Sequence, residues 1–114
     1  MLEQIIERLY EFPPDKLDRE DAHEAVEQLK QSLNLGEARS AEQYNGVWQV
    51  NSWVKKGILL AFRIGQLTEH SANSEGMPTH HHAQFFDKDT LPLKDLDVKN
   101  NVRIVPGGSA IRDG

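Results

Sequence analysis

Arg103 is the side chain in this sequence whose surroundings best suit the binding of a ligand. It lies in the run Val-Arg-Ile-Val over 102–105, whose alternation is typical of a β-strand. Alternation would put Arg103 on the face opposite Val102 and Ile104 and on the same face as Val105. A planar guanidinium binds a carboxylate through two parallel hydrogen bonds, which a lysine cannot reproduce. From the residues alone, an ordinary exposed arginine on a strand is the favoured interpretation, and a carboxylate contact at Arg103 is the alternative.

Three consecutive histidines, His80 to His82, are candidates for metal ligands. Side chains that follow one another directly cannot all face one metal ion from a regular strand or helix. No Asp or Glu lies three or four residues away, where a helix would bring it onto the same face, and the chain has no cysteine. We predict a histidine-rich loop without a native metal, and a metal-binding domain at this loop is the alternative.

Other candidate sites carry less chemistry. Lys55 and Lys56 lie in an apolar segment, and we predict that both extend to solvent; the alternative is that one amine faces a bound anion. Gly107 and Gly108 lack the spacing and the following Lys-Ser/Thr of a P-loop. Nothing in the sequence resembles a nucleophile with its base and orienting group. These patterns predict no catalytic residue in the chain.

Length and composition narrow the class of protein. The 114 residues carry 18 acidic and 13 basic side chains, a net charge of -5 and no cysteine, which predicts one small domain and excludes disulfides and thiolate metal sites. The excess of acid lies in residues 1–35, so no basic face for nucleic acid is expected. The chain has no run of about 18 apolar residues, so no membrane-spanning helix is predicted. We predict a cytoplasmic protein that binds neither nucleic acid nor membranes.

Helical periodicity covers the first third of the chain. Apolar residues recur at one-face spacing from Leu2 until Phe12-Pro13-Pro14, where two prolines remove consecutive backbone donors. A second helix follows, with Asp15 or Asp18 as its N-cap and Gly36 as its left-handed stop. The sequence therefore predicts two N-terminal helices.

The middle of the chain changes to strand periodicity. Short runs over 38–43 and 47–50 flank Asn45-Gly46, the strongest local signal for a two-residue hairpin turn. The segment from about Ser52 to Arg63 is too long and too apolar for one strand, which predicts a buried helix. The predicted core is formed by the large side chains of this region, namely Trp48, Trp53, Phe62 and the Ile/Leu run of that helix. Residues 65–84 predict a long loop or an irregular hairpin tip. The fold class is α+β.

Several short elements, in this order, resemble the N-terminal region of the tetrahydrodipicolinate N-succinyltransferases, the acyltransferases of the succinylated branch of diaminopimelate and lysine biosynthesis. The similarity runs from about Gly36 to Gly114. It rests on Ala41-Glu42 before the Asn-Gly turn, Trp48, the segment 53–64, the triplet Phe86-Asp87-Lys88, and Arg103-Ile104-Val105-Pro106. The loop over 68–84 is longer than in the family, so its residues inherit no role.

The resemblance implies that the chain is the N-terminal piece of a longer protein. The catalytic body of this family is a left-handed parallel β-helix of hexapeptide repeats, and residues 110–114 look like its first turn, with Ile111 pointing inward. We therefore expect an N-terminal α+β domain over 1–100 and the start of the β-helix domain over 101–114, with the rest of that domain missing from this chain. One coil cannot bury its own apolar face.

The resemblance also implies a reaction. The parent enzyme would be a homotrimer that binds an amino-keto dicarboxylate, formed from tetrahydrodipicolinate, and succinyl-CoA between adjacent β-helices. The substrate amine would attack the thioester directly, with a carboxylate as proton acceptor. Arg103 matches the family's substrate-binding arginine, whereas the catalytic acid and the CoA site would follow Gly114. The chain alone is then expected to bind no cofactor and to be inactive. The alternative is a free-standing α+β protein-interaction module, with the apolar helix around 58–64 as its contact surface.

Overall fold

The computed structural model describes residues 1–70, 85–105 and 109–114, so the predictions for His80 to His82 and for Gly107-Gly108 lie outside the described residues. The class is α+β, as predicted. In chain order the elements are α1 (Leu2–Glu11), α2 (Arg19–Leu35), β1 (Ala41–Tyr44), β2 (Val47–Val50), α3 (Ser52–Ile64), β3 (Leu67–His70), β4 (Phe85–Lys88) and a 3-10 turn (Val98–Asn100). No helix in these ranges has the length and apolar character needed to cross a bilayer.

The two N-terminal helices begin and end where local chemistry dictates. The first ends before the proline pair. Asp18, and not Asp15, caps α2, because its side chain accepts hydrogen bonds from the backbone amides of Glu20 and Asp21 at 3.0 and 3.1 Å. Gly36 closes the helix in the left-handed conformation, with φ of 78°. These boundaries confirm the sequence prediction and settle which aspartate is the cap.

The core lies where α3 packs against α1 and α2. Its buried residues come mainly from these three helices and include Ile6, Leu9, Ala25, Val26, Leu29, Val54, Leu60, Ala61 and Ile64. Gly57 sits at the closest approach: a Cβ atom there would lie 2.3 Å from Leu29 Cδ2 and 3.1 Å from Ile6 Cδ1. The missing side chain therefore lets the three helices meet.

The predicted buried helix is buried on one side only, and part of the predicted core is exposed. The 3.6-residue period turns Val54, Gly57 and Leu60 inward, whereas Phe62 is 43% exposed. Trp48 is 69% exposed on β2, while Trp53 packs partly against the core. The core assignment of Trp48 and Phe62 is wrong, because hydrophobicity alone does not say which face of an element has a neighbour.

Two antiparallel hairpins flank α3. β1 pairs with β2 from Ala41↔Val50 to Tyr44↔Val47, and Asn45 and Gly46 have φ of 49° and 79°, as a two-residue type I′ turn requires. β3 pairs with β4 from Leu67↔Lys88 to His70↔Phe85. The hairpin alternative for 65–84 is therefore confirmed at its base. The buried Thr90 hydroxyl donates to the Ala61 carbonyl at 2.8 Å and ties the end of this hairpin to α3.

The strand predicted over 102–105 is not formed. These residues have no regular secondary structure, and all four are exposed. Alternation favours a strand only when a neighbouring strand pairs with its backbone, and no described strand lies beside this segment. The strand prediction for 102–105 is therefore wrong, because no described strand pairs with this segment.

Candidate functional site

Arg103 follows a short, tightly determined turn. The Asp97 side chain accepts from the Lys99 backbone amide at 2.6 Å, and the Asn100 side chain accepts from the Asp97 backbone amide at 2.8 Å. Asn101 then takes φ of 54°, a left-handed conformation that asparagine tolerates. These contacts fix the direction in which the chain runs toward Arg103.

The Arg103 side chain itself is exposed and carries an uncompensated charge. Its guanidinium makes no hydrogen bond or ion pair with any residue in the described ranges. Its apolar neighbours Val102, Ile104 and Val105 are each about half exposed. The arginine is thus available to an anionic ligand, but by itself it forms no enclosed pocket.

The segments before and after Arg103, residues 92–94 and 111–113, lie side by side. The Lys94 amide donates to the Ile111 carbonyl and the Asp113 amide donates to the Pro92 carbonyl, both at 2.9 Å. Leu93 and Arg112 therefore form an isolated antiparallel bridge. Arg103 lies between the two sides of this bridge, and we call the described residues 94–105 and 109–111 the Arg103 loop.

Arg112 fastens the bridge to the second hairpin. Its guanidinium donates to the Leu91 carbonyl and, at 2.7 Å, to Asp87 Oδ2 on β4. The hydrogen bond from the Lys88 backbone amide is the main cause that holds the pKa of the Asp87 carboxyl below its usual value; desolvation opposes it, and the Arg112 guanidinium lowers the pKa further. The carboxylate is therefore charged at neutral pH and able to hold Arg112.

Asp113 docks the same segment onto α2. Asn34 Nδ2 donates to Asp113 Oδ1 at 2.7 Å, and Lys30 Nζ lies 3.3 Å from Asp113 Oδ2. Lys30 is only 6% exposed and also meets Glu27 at 2.6 Å. The Asn34 hydrogen bond, followed by the Lys30 ammonium, lowers the pKa of the Asp113 carboxyl. The last described residues are thus held to the N-terminal helices by ionic contacts.

The paired lysines of α3 have separate positions. Lys56 Nζ reaches Glu7 Oε1 on α1 at 3.0 Å, and this hydrogen bond raises the pKa of the lysine. Lys55 is exposed. The Lys56 charge is therefore balanced within the domain, so the anion-facing alternative is wrong for this residue.

The geometry offers little for a metal or a buried substrate. Within 1–70, 85–105 and 109–114, no three His, Asp or Glu side chains are grouped closely enough to hold a metal ion. A groove of about 490 Å³ runs along α2 beside Asp113, and its lining includes Glu24, Glu27 and Lys30. Its carboxylates outnumber its single ammonium, so the groove is unsuited to a dicarboxylate ligand.

Sequence reasoning missed the contacts that hold the Arg103 loop. Asp87 belongs to the triplet that resembles the family, and Arg112 and Asp113 belong to the predicted first β-helix turn. Nothing in the sequence indicated that these residues are in contact. Asp87 and Arg112 are 25 positions apart, and their contact depends on how β4 and the bridge are placed. The available signal was one pair of opposite charges in each of the two family-like segments 86–88 and 110–114, and that signal does not specify which residues meet.

Comparison with known proteins gives a consistent result. The family model described as tetrahydrodipicolinate N-succinyltransferase N-terminal matches residues 1–64, which includes the helical start. Among similar proteins, the 2,3,4,5-tetrahydropyridine-2,6-dicarboxylate N-succinyltransferase of Nitrosococcus oceani is 37% identical over 100% of this chain and 40% of its own length. Those of Psychrobacter sp. and Enterobacter sp. are 36% and 32% identical over 97% and 100% of this chain. The chain spans about two fifths of the length of these relatives, at 41% and 39% for the latter two.

Proposed function

Since this chain belongs to the tetrahydrodipicolinate N-succinyltransferase N-terminal family, we propose that it forms the N-terminal part of an enzyme that transfers succinyl from succinyl-CoA to an amino-keto dicarboxylate. The observation that carries the proposal is the similarity along the whole chain to relatives that bear this enzyme name. The lack of cysteine is compatible with the reducing cytoplasm in which we place the enzyme.

The proposed reaction is a direct acyl transfer. The substrate amine nitrogen attacks the thioester carbonyl carbon, an amide bond forms, and the carbon–sulfur bond breaks. A carboxylate takes the proton from the amine, and the CoA sulfur leaves and is finally protonated as the thiol. We assign that carboxylate and the CoA site to chain beyond residue 114, in a hexapeptide-repeat β-helix that assembles as a homotrimer. This chain contributes positioning, which can supply several kcal/mol of barrier reduction in such reactions.

Arg103 is the proposed substrate contact. A substrate with two carboxylates needs cationic partners, and a guanidinium that is exposed and unpaired within the described ranges can serve as one. We assign it a bidentate contact to one substrate carboxylate.

We also propose that the chain divides at about residue 100, into an α+β domain over 1–100 and the first part of the β-helix over 101–114. The exposed apolar side chains Val102, Ile104 and Val105 support this division, because further coils would cover them. Ile111, at 37% exposed, would point into the same stack.

The test joins residues 1–114 to the C-terminal part of the Nitrosococcus oceani relative; we call the product the joined protein. Release of CoA thiol from succinyl-CoA is measured with and without the dicarboxylate. We expect dicarboxylate-dependent release by the joined protein and none by residues 1–114 alone. Transfer by the 114-residue chain alone would contradict our placement of the reacting groups. A folded, trimeric joined protein without transfer would contradict the proposed function itself.

A second function has one structural observation in its favour. Ile58, Leu59 and Phe62 form an exposed apolar strip on α3, as a protein-interaction module would require. That alternative predicts association of the isolated chain through this strip, so light scattering would give a mass near three times 12.9 kDa. A monomer that melts cooperatively would favour the acyltransferase assignment, with association left to the β-helix.

A further inference from the structure

We propose that Asp87 and Arg112 are positioning residues for Arg103: their ion pair closes the base of the Arg103 loop and so fixes where the guanidinium meets the substrate. This inference rests on the proposed function, because it assigns a purpose to the placement of Arg103. It adds two residues that never touch the substrate themselves.

The first step is the weakness of the backbone contact at the base of the loop. Among the described residues, two backbone–backbone hydrogen bonds, Lys94 to Ile111 and Asp113 to Pro92, join the two sides of the bridge. Each hairpin, in contrast, pairs four residues with four. Closing a loop of this length costs chain entropy, which an isolated bridge offsets poorly. Side chains must supply the rest of the closure.

The second step is that Arg112 supplies a link to a fixed part of the domain. Its guanidinium crosses from the bridge to the Leu91 carbonyl and to Asp87 Oδ2 at 2.7 Å. Asp87 lies within β4, opposite Thr68 of β3. The end of β4 is in turn bonded to the core through Thr90 and Ala61. The base of the loop is therefore connected to α3 through the Arg112–Asp87 ion pair, the short stretch of chain from Asp87 to Thr90, and the Thr90–Ala61 hydrogen bond.

The third step concerns the chain between the base and Arg103. The Asp97 and Asn100 side chains fix the turn over 97–100, and Arg103 follows soon after. A rotation at the base would be carried by this turn to the guanidinium. Misplacement of a binding group by about 1 Å can lower a catalysed rate considerably. The ion pair is thus placed to control Arg103 and not the core.

The fourth step separates positioning from stability. The Asp87 and Arg112 side chains are 30% and 28% exposed, and pairs of that kind contribute little to the global free energy of unfolding. The three-helix core contains neither residue. Breaking the pair should therefore leave the domain folded while the base of the loop opens.

The first experiment uses the 114-residue chain and measures amide hydrogen exchange. In Asp87→Asn and, separately, Arg112→Gln, the Lys94 and Asp113 amides should exchange at least about tenfold faster. The Asn51 amide, bonded to the Ser40 carbonyl at the other hairpin, should be unchanged. Asp95→Asn, an exposed change in the same loop, is the matched control. Unchanged exchange at Lys94 and Asp113 in both variants would overturn the inference.

The second experiment uses the joined protein and a double-mutant cycle. Asp87→Asn should raise KM for the dicarboxylate about tenfold and change kcat less than about twofold, and Asp87→Glu should restore most of the loss. Adding Asp87→Asn to Arg103→Ala should cause no further loss, because the pair acts through Arg103. If the fold-changes in KM of the two single variants multiply in the double variant, Asp87 has an independent structural role and the inference is overturned. If Arg103→Ala alone leaves KM unchanged, the proposed substrate contact fails instead.

Discussion

At the scale of single residues, Arg103 is an exposed cation whose charge has no partner within the described ranges. The less exposed cations Lys56 and Lys30, in contrast, are matched by carboxylates. Lys56 pairs with Glu7, and Lys30 with both Glu27 and Asp113. An unmatched arginine beside matched charges is where an anionic ligand gains most from binding.

Arg103→Lys tests whether the contact is bidentate. Lysine keeps the charge but loses the planar pair of donors, so we expect KM of the joined protein for the dicarboxylate to rise about 10- to 100-fold. Steady-state thiol-release kinetics measure it, and Arg8→Lys on the exposed side of α1 is the control. Equal KM values for the two variants would argue against a bidentate contact.

The N-cap of α2 is a second residue-scale feature that can be tested. Asp18→Ala removes the acceptor for the Glu20 and Asp21 amides, so it should lower the free energy of unfolding by about 1 kcal/mol. Urea denaturation measures the change. Asp15→Ala, at an exposed position outside the helix, should have almost no effect. If the two substitutions cost the same, the cap does not contribute as the geometry indicates.

At the scale of elements, α3 organises the domain because its two sides differ. Val54, Gly57 and Leu60 face the other helices, and Ile58, Leu59 and Phe62 face solvent. The helix therefore has one packed side and one apolar side without a described neighbour.

Gly57→Ala tests the close approach of the helices. Alanine favours an isolated helix by about 1 kcal/mol, but here its Cβ would meet Leu29 Cδ2 at 2.3 Å. We expect a net loss of about 1–3 kcal/mol in urea denaturation, because steric crowding outweighs propensity. In a Leu29→Ala background the same change should cost much less. A stabilising Gly57→Ala in the unaltered chain would contradict the packing.

Trp48→Ala tests the correction to the predicted core. The side chain is 69% exposed on a hairpin, so its loss should change the free energy of unfolding by no more than about 0.5 kcal/mol. Leu60→Ala, at a fully buried position of α3, should cost about 2–5 kcal/mol. Comparable costs for the two substitutions would restore Trp48 to the core.

At the scale of the whole molecule, ionic contacts join the two ends of the chain. Asp113 meets Lys30 and Asn34 of α2, and Arg112 meets Asp87 of β4. The N-terminal helices and the C-terminal segment are thus held together by carboxylates and not by a shared apolar core. Such an attachment depends on protonation.

Acid should release the C-terminal segment. The folded pKa values of Asp87 and Asp113 lie below their unfolded values, so their contribution is complete above about pH 4 and is lost as pH falls through the folded values. Protection of the Asp113 amide, followed by hydrogen exchange, should decline below about pH 4. In Asp113→Asn combined with Asp87→Asn, protection should be weak at neutral pH and vary little with acid. The same dependence of Asp113 protection on pH in the unaltered chain and in the double variant would contradict this.

The sequence by itself determined the features that depend on neighbouring residues. Two prolines ended α1, an aspartate and a glycine bounded α2, and Asn45-Gly46 set the first hairpin, because caps and turns satisfy backbone groups within a few positions. The family resemblance was likewise readable from short segments in order. The exposed Arg103 was identified as a candidate by residue type alone.

Only the tertiary structure decided which apolar face has a neighbour and which distant charges meet. Phe62 and Trp48 are as hydrophobic as core residues but lie outside the packed side of their elements. The run over 102–105 alternates like a strand but has no described strand to pair with. Asp87 and Arg112 meet because β4 and the bridge are brought together. Burial and pairing are properties of two surfaces, and a sequence pattern describes only one of them.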